Sequence, residues 1–138
     1  MRLALLAFIT SALLLTGCIT QADQQGEANQ MVQQLHSAIQ HHQWADAAKL
    51  YDPEYFKQHS QQQWQLQFEN TFKKLGDITQ FAITSQQKDP RFGGDFYIYI
   101  ISASHSGGSV SHETITILKP LDDKPMMITG YQFKAKGI

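Results

Sequence analysis

Residues 60–86 read SQQQWQLQFENTFKKLGDITQFAITSQ, and the spacing of the apolar residues changes within this stretch. Before Gly76 the apolar side chains recur at helical spacing, at Trp64, Phe68, Phe72 and Leu75. This spacing predicts an amphipathic helix. Ser60 and Gln63 have the pattern of a capping box, and glycine is the residue that most often ends a helix. After Gly76 the apolar period falls to two residues, which predicts that strands begin there.

Three shorter helical segments are predicted before this stretch. Apolar residues at helical spacing place a first helix at 28–40 and a second at 44–51. Pro53 ends the second helix, because proline cannot continue one. Asp52 and Pro53 then open a short helical turn that runs to Phe56.

Four strands are predicted after Gly76, at 78–86, 95–104, 110–119 and 126–134. The segments between them are short and rich in Gly, Pro, Ser and Asp, which are turn residues. Short connections imply that neighbouring strands are antiparallel. The sequence therefore predicts an α+β fold, in which N-terminal helices pack on a curved four-stranded antiparallel meander within one domain at 29–138.

The second predicted strand is apolar on both faces, from Phe96 to Ile101. A sheet covered by helices on one side normally alternates apolar and polar residues. We expect Tyr97, Tyr99 and Ile101 to face away from the helices, where they would bind a second copy of the chain, a partner protein or an apolar ligand. The alternative is a central strand that is enclosed by the twist of its own sheet.

The amino end has the pattern of an export signal. Arg2 precedes a 13-residue apolar stretch, Leu3 to Leu15, that only Thr10 and Ser11 interrupt. This stretch is shorter than the roughly 20 residues that a membrane-spanning helix needs. Residues 1–17 are therefore predicted to be a signal peptide.

Residues 15–18, Leu-Thr-Gly-Cys, resemble the lipobox of bacterial lipoproteins. The resemblance implies that Cys18 receives diacylglycerol and becomes the acylated (palmitate-bearing) N-terminus, which would anchor the chain in a membrane. Ile19 stands where an aspartate marks inner-membrane retention, so the resemblance favours the periplasmic face of the outer membrane. Residues 18–28 would then be the lipidated cysteine and a flexible tether. The alternative is an ordinary signal peptide that contains a cysteine.

Charge and cysteine content exclude several classes of protein. The chain has 11 Lys and Arg against 12 Asp and Glu, so it carries no broad basic field for nucleic acid. It has a single cysteine, so it has no internal disulfide.

The histidines do not form a predicted metal site. His41 and His42 are adjacent on a helix and point about 100° apart, and His36 is not three or four residues from either. A solvated helix surface is the expected setting of all three. His112 and Glu113 are neighbours in a strand and face opposite sides of the sheet, so they are not a dyad. No metal or other cofactor is expected.

Four segments carry a resemblance to a family over about residues 29–133. They are the helix Trp44–Tyr51, the helix from Trp64 to Gly76, the strand 113–117 and the closing Gly130-Tyr131-Gln132-Phe133. In this order they resemble small bacterial lipoproteins and exported proteins of the nuclear-transport-factor-two-like, or cystatin-like cone, superfamily. The resemblance implies a cone-like sheet, but the superfamily includes isomerases, dehydratases, transport factors and binding modules, so it does not select a function.

Three functions follow as expectations. The first is a non-enzymatic module that binds through the cone opening or the outer sheet face, with the candidate residues Trp44, Trp64, Tyr97, Tyr99, His112 and Tyr131. The second is an isomerase-like or dehydratase-like enzyme that uses His112, Glu113 and Tyr131. The third is an immunity-type lipoprotein that neutralises a toxin, which no residue specifically favours.

Overall fold

The computed structural model describes the backbone of residues 19–136 and the side chains of residues 24–136. Four helices come first: α1 (Ile19–Gln40), α2 (Trp44–Ala48), α3 (Pro53–Gln58) and α4 (Gln61–Leu75). Four strands follow: β1 (Ile78–Arg91), β2 (Gly94–His105), β3 (Val110–Pro120) and β4 (Met127–Ala135). The strands form one open antiparallel sheet in the order β1-β2-β3-β4. The predicted α+β class and meander are confirmed.

The ends of α4 are those that the sequence predicts. The Ser60 hydroxyl accepts a hydrogen bond from the Gln63 backbone N–H at 3.4 Å and caps the first turn. Gly76 ends the helix with a φ of 83°, and a β-carbon at this position would lie 2.8 Å from the backbone nitrogen of Gly107. Glycine is therefore required both by the backbone conformation and by the close approach of the β2–β3 connection.

The predicted start of the first helix at Ala28 is wrong, because α1 begins at Ile19. The segment that was expected to be a flexible tether is therefore helical from Ile19. Glutamine is a good helix former, and two glutamines of this segment also bond to the sheet. Tyr97 donates a hydrogen bond to Gln24 at 3.3 Å, and Gln25 donates one to Tyr99 at 2.7 Å. The signal peptide and Cys18 lie outside the described residues.

The expected orientation of β2 is also wrong. Tyr97, Tyr99 and Ile101 are 1%, 0% and 0% exposed and face the helices. The outer face of β2 carries Phe96, Ile98 and Ile100. Since this strand is apolar on both faces, its sequence contains no alternation that could show which face packs against the helices.

None of the described helices is both long enough and apolar enough to cross a bilayer.

Candidate functional site

A fully buried acid and base face each other in the interior. Glu113 projects from β3 and His36 from α1, and both side chains are 0% exposed. The Nε2 atom of His36 lies 2.7 Å from Oε2 of Glu113. The His36 ring stacks on Phe81 of β1, with the ring centroids 4.1 Å apart. The imidazole is thus held by the Phe81 ring of β1 and the Glu113 carboxyl group of β3.

The second hydrogen bond of His36 determines how many protons the pair holds. The Nδ1 atom lies 3.0 Å from the carbonyl oxygen of Val32, which can only accept a hydrogen bond, so Nδ1 carries a hydrogen. One more proton then lies between Nε2 and Oε2. The pair is either an imidazolium with a carboxylate or a neutral imidazole with a carboxylic acid. Both forms have zero net charge, which lowers the cost of burial.

Four buried polar atoms of the described interior have no hydrogen-bond partner. They are Glu113 Oε1, the Tyr131 hydroxyl, the Tyr51 hydroxyl and the Trp64 indole nitrogen. Buried polar groups normally have a partner, and most exceptions need an explanation. These four atoms form the candidate site, and they lie as two close pairs, the Trp64 indole beside the Tyr51 hydroxyl and the Tyr131 hydroxyl beside Glu113.

The electrostatics show that these groups lie close to one another. Burial raises the pKa of Tyr131 well above its ordinary value of 10.0, and the Glu113 carboxylate and Tyr51 raise it further. Burial also raises the pKa of Tyr51, and the Trp64 indole, which lies close enough to approach a hydrogen bond with the Tyr51 hydroxyl, lowers that pKa in part. Both phenols therefore keep their protons at neutral pH. None of the four atoms forms a hydrogen bond of good geometry, although a small movement would let Trp64 bond to Tyr51 and Tyr131 bond to Glu113. With the indole N–H the two hydroxyls offer three donors, and Glu113 Oε1 adds one acceptor or donor.

Aromatic rings enclose these polar atoms. The Tyr51 ring lies 5.4 Å from the Trp64 ring, and the Tyr131 ring lies 5.2 Å from that of Phe68. Phe56 of α3 closes this aromatic wall at 5.7 Å from Trp64. Because the wall is apolar, a polar group of a bound molecule would form its hydrogen bonds with these four atoms, which would orient the molecule.

Helix α3 covers the aromatic wall from outside, and no residue of α3 is itself buried. Its N-terminus is fixed, because the Asp52 side chain accepts from the Glu54 backbone N–H at 2.9 Å and Tyr51 forms a parallel bridge with Ile128. A surface depression of about 190 Å³ lies beside it, lined in part by Tyr55 and Thr129. Because α3 is short and its wall residues Tyr55 and Phe56 are only partly buried, it is the element of this wall that is easiest to displace.

The structure brings some of the predicted site residues together and separates others. Trp64, Tyr131 and Glu113 meet in the interior. Trp44 packs at the edge of the aromatic wall, with its ring 5.8 Å from Phe68. Tyr97 and Tyr99 bond to α1 instead.

His112 is exposed while Glu113 is buried, so the prediction that they face opposite sides is confirmed. His112 therefore has no part in the interior site.

His36 was not among the predicted site residues. It was expected to be solvated, and it is 0% exposed. His41 and His42 are exposed, as predicted. The spacing between histidines carries no information about the partner of His36, because that partner is Glu113, which lies 77 residues away. Tyr51 was also missed, although its place just before Asp52-Pro53 put it at the end of a helix.

A second buried histidine has a structural role. His105 Nδ1 donates to the Gly76 carbonyl at 2.8 Å, and the Ser111 hydroxyl lies 2.8 Å from Nε2. This arrangement resembles a serine nucleophile with its base. Ser111 is 0% exposed, however, so no substrate reaches it. The contacts attach the β2–β3 connection to the end of α4.

Within the described part of the chain, no three His, Cys, Asp or Glu side chains are placed to hold a metal ion.

Comparison with known proteins identifies a similar fold but no family. No family model matches the chain, and no curated protein matches it. A solved structure, "Structure of Bdellovibrio bacteriovorus Bd1075", superposes with a TM-score of 0.56 at 14% identity. The match covers 82% of this chain and 41% of that chain. At this identity the likeness shows the fold alone, and this chain spans less than half of the Bdellovibrio chain.

Proposed function

We propose that this protein is a membrane-anchored periplasmic lipoprotein whose domain binds a small, mainly apolar molecule. A single polar group of that molecule would bond to Glu113, Tyr51, Tyr131 and Trp64. The observation that supports this proposal is the set of four buried polar atoms without partners. Each unpaired buried group costs about 1–3 kcal/mol. A bound molecule that supplies partners removes this cost.

The anchor is supported by the sequence alone. Residues 15–18 resemble a lipobox, and Cys18 is the only thiol of the chain. Acylation would give Cys18 the two or more chains that stable anchoring requires. Ile19 at the next position supports the outer membrane over the inner membrane. The cone-like superfamily that the sequence resembles includes exported lipoproteins, which fits the same location.

The indole proton of Trp64 gives a direct test of binding in the interior. The chain has two tryptophans, so two indole N–H resonances are expected in a nitrogen-15 spectrum. Phenol carries a ring with one hydroxyl, and benzene carries the ring alone. We expect phenol to shift the Trp64 resonance downfield as its indole gains a hydrogen bond, and benzene to leave that shift unchanged.

A matched pair of variants tests whether the polar atoms are responsible. Tyr131→Phe removes an unpartnered hydroxyl, whereas Tyr97→Phe removes a hydroxyl that bonds to Gln24. Phenol binding should weaken about tenfold, or by about 1.4 kcal/mol, in Tyr131→Phe and stay within about twofold in Tyr97→Phe. Equal effects in the two variants, or no phenol shift at all, would contradict the proposal.

An enzyme is the second candidate, and one observation favours it. Oε2 of Glu113 is held by His36, while Oε1 has no partner and is enclosed by apolar walls. A carboxylate in this setting is suited to removing a proton next to a carbonyl group, and the Tyr131 hydroxyl could stabilise the enolate oxygen. In heavy water, exchange of such protons from small ketones should be faster with the wild type than with Glu113→Gln. Equal exchange rates would remove this candidate.

The outer face of the sheet is the proposed site for a second copy of the chain or a protein partner. Ile100 at its centre is 42% exposed, and Phe96 and Ile98 beside it are half-buried. An apolar row of this kind on an otherwise polar face is typical of interaction surfaces.

A further inference from the structure

The two most exposed large apolar side chains of the described residues lie at the same end of the molecule. Phe92, between β1 and β2, is 106% exposed, and Leu121, after β3, is 78% exposed. The Leu121 backbone N–H donates to the Gly93 carbonyl at 3.2 Å, so the two connections touch. We call residues 90–94 and 119–124 the loop tip. Two large exposed apolar side chains on adjoining loops form a patch of the kind that marks protein or membrane contact sites.

Helix α1 begins at the same end. Gln24 bonds to Tyr97 near the start of β2, and Gln40 bonds to the Ile78 carbonyl, which is level with the end of β2. The helix therefore runs parallel to β2. Ile19 lies about 7.5 Å beyond Gln24, at about 1.5 Å per residue. Gly94 lies about 10 Å beyond Tyr97, at about 3.4 Å per residue. The start of α1 and the loop tip therefore lie at a similar position along the direction of β2.

The charges near the loop tip cancel. Segments 88–95 and 119–124 each contain two basic and two acidic residues, so their net charge is zero. Lys88 pairs with Asp95 at 2.7 Å, and Lys124 pairs with Asp122 at 2.7 Å. These two segments carry no net charge, so this end of the domain does not attract a charged protein or nucleic acid. Apolar side chains ringed by paired charges are suited to the interface of a lipid bilayer.

We propose that Phe92 and Leu121 insert into the interface of the membrane that carries the lipid anchor. This inference rests on the proposed lipidation of Cys18, which immediately precedes Ile19. The domain then touches the bilayer at two places, the acylated N-terminus and the loop tip, so its orientation is fixed. The β2–β3 connection points away from the membrane. A depression of about 760 Å³, lined by Leu121 and by Pro53 of α3, adjoins the bilayer.

Site-specific labelling of the lipidated mature protein tests this orientation. Acylation would leave no free thiol in the wild type, so a cysteine introduced at position 92 or 106 would be the only one available. Phe92→Cys places an environment-sensitive dye on the loop tip, and Ser106→Cys places it on the exposed β2–β3 connection at the opposite end. Both proteins would be reconstituted in phosphatidylethanolamine–phosphatidylglycerol vesicles that contain a lipid with a nitroxide near its headgroup.

We expect quenching at position 92 to exceed that at position 106 by about twofold or more, since quenching requires entry into the interface. The difference should persist in high salt, because charge does not drive the contact. A dye at position 92 that is no better quenched than one at 106 would overturn the inference. If added periplasmic protein, and not the vesicles, protected the dye at position 92, the inference would also be overturned and a protein partner would be indicated. An intact mass without acyl groups would instead refute the anchor, so the two failures are distinguishable.

Discussion

Glu113 is placed by its neighbours in the sheet. It pairs with Ile101 on one side and Phe133 on the other, and it faces a histidine from α1. A buried acid–base pair of this kind contributes little to stability as a pair, but the loss of one partner leaves the other unpaired. A substitution of Glu113 or of its histidine partner alone should therefore be tolerated less well than a substitution of both.

Removal of His36 alone should be strongly destabilising. His36→Ala leaves the Glu113 carboxyl group buried without its partner, and we expect the free energy of unfolding to fall by about 3–5 kcal/mol. The exposed His41→Ala is the control and should change it by less than about 0.5 kcal/mol. The double variant His36→Phe with Glu113→Leu should recover most of the loss. Urea denaturation measures all three, and a mild single variant would argue against the buried pair.

The buried tyrosines predict a loss of stability in alkali. Burial raises the pKa of Tyr99 to about 12 and raises that of Tyr131 well above its ordinary value of 10.0. Above the unfolded pKa the unfolded state loses protons that the folded state keeps, so stability falls as pH rises through 10 toward 12. Near-ultraviolet tyrosinate absorbance and circular dichroism should change together. In Tyr131→Phe the stability should fall less steeply with pH, and an unchanged slope would contradict this account.

At the residue scale, the sequence identified Trp64, Glu113 and Tyr131 as candidates but could not bring them together with His36. The inward orientation of Glu113 is a local property, because Glu113 is in phase with Ile115 and Ile117 along the alternating strand β3. Whether His36 is solvated depends instead on a contact between distant parts of the chain, which local pattern does not contain.

The elements themselves follow local rules closely. The cap at Ser60, the end at Gly76 and the start of α3 after Asp52 were all predicted from residue type and spacing, and all three are found. The bounds of α1 and β1 differ from the predicted ones, and both elements are extended where they make long-range contacts. Helix α1 extends to Ile19 while Gln24 and Gln25 bond to distant tyrosines, and β1 continues to Arg91 while β2 pairs with it.

Two glycine substitutions should have opposite effects on these elements. Gly76→Ala introduces a β-carbon at positive φ, 2.8 Å from a backbone nitrogen, and should lower the free energy of unfolding by at least about 1–2 kcal/mol. Gly26 lies within α1 and has open space around it, so Gly26→Ala should raise stability by about 0.5–1 kcal/mol. Thermal denaturation compares the two. A neutral Gly26→Ala would favour a tether over a helix there.

At the scale of the whole molecule, the open sheet leaves one face without helices. The sheet-face proposal predicts that two copies associate through the row centred on Ile100. Light scattering after size exclusion should show a dimer at micromolar concentration. Ile100→Lys should give a monomer, whereas Leu66→Lys on α4 should not, although Leu66 is similarly exposed at 43%. A monomeric wild type would exclude the dimer.

The central claim is that the interior holds a small molecule, and native mass spectrometry of the protein purified from cells tests it most directly. We predict a complex heavier than the lipidated chain, whose extra mass is lost on denaturation. The extra mass should be reduced in Tyr131→Phe and retained in Tyr97→Phe. A mass equal to that of the chain alone, under conditions that preserve a known protein–ligand complex, would contradict the claim and would leave water as the partner of the four polar atoms.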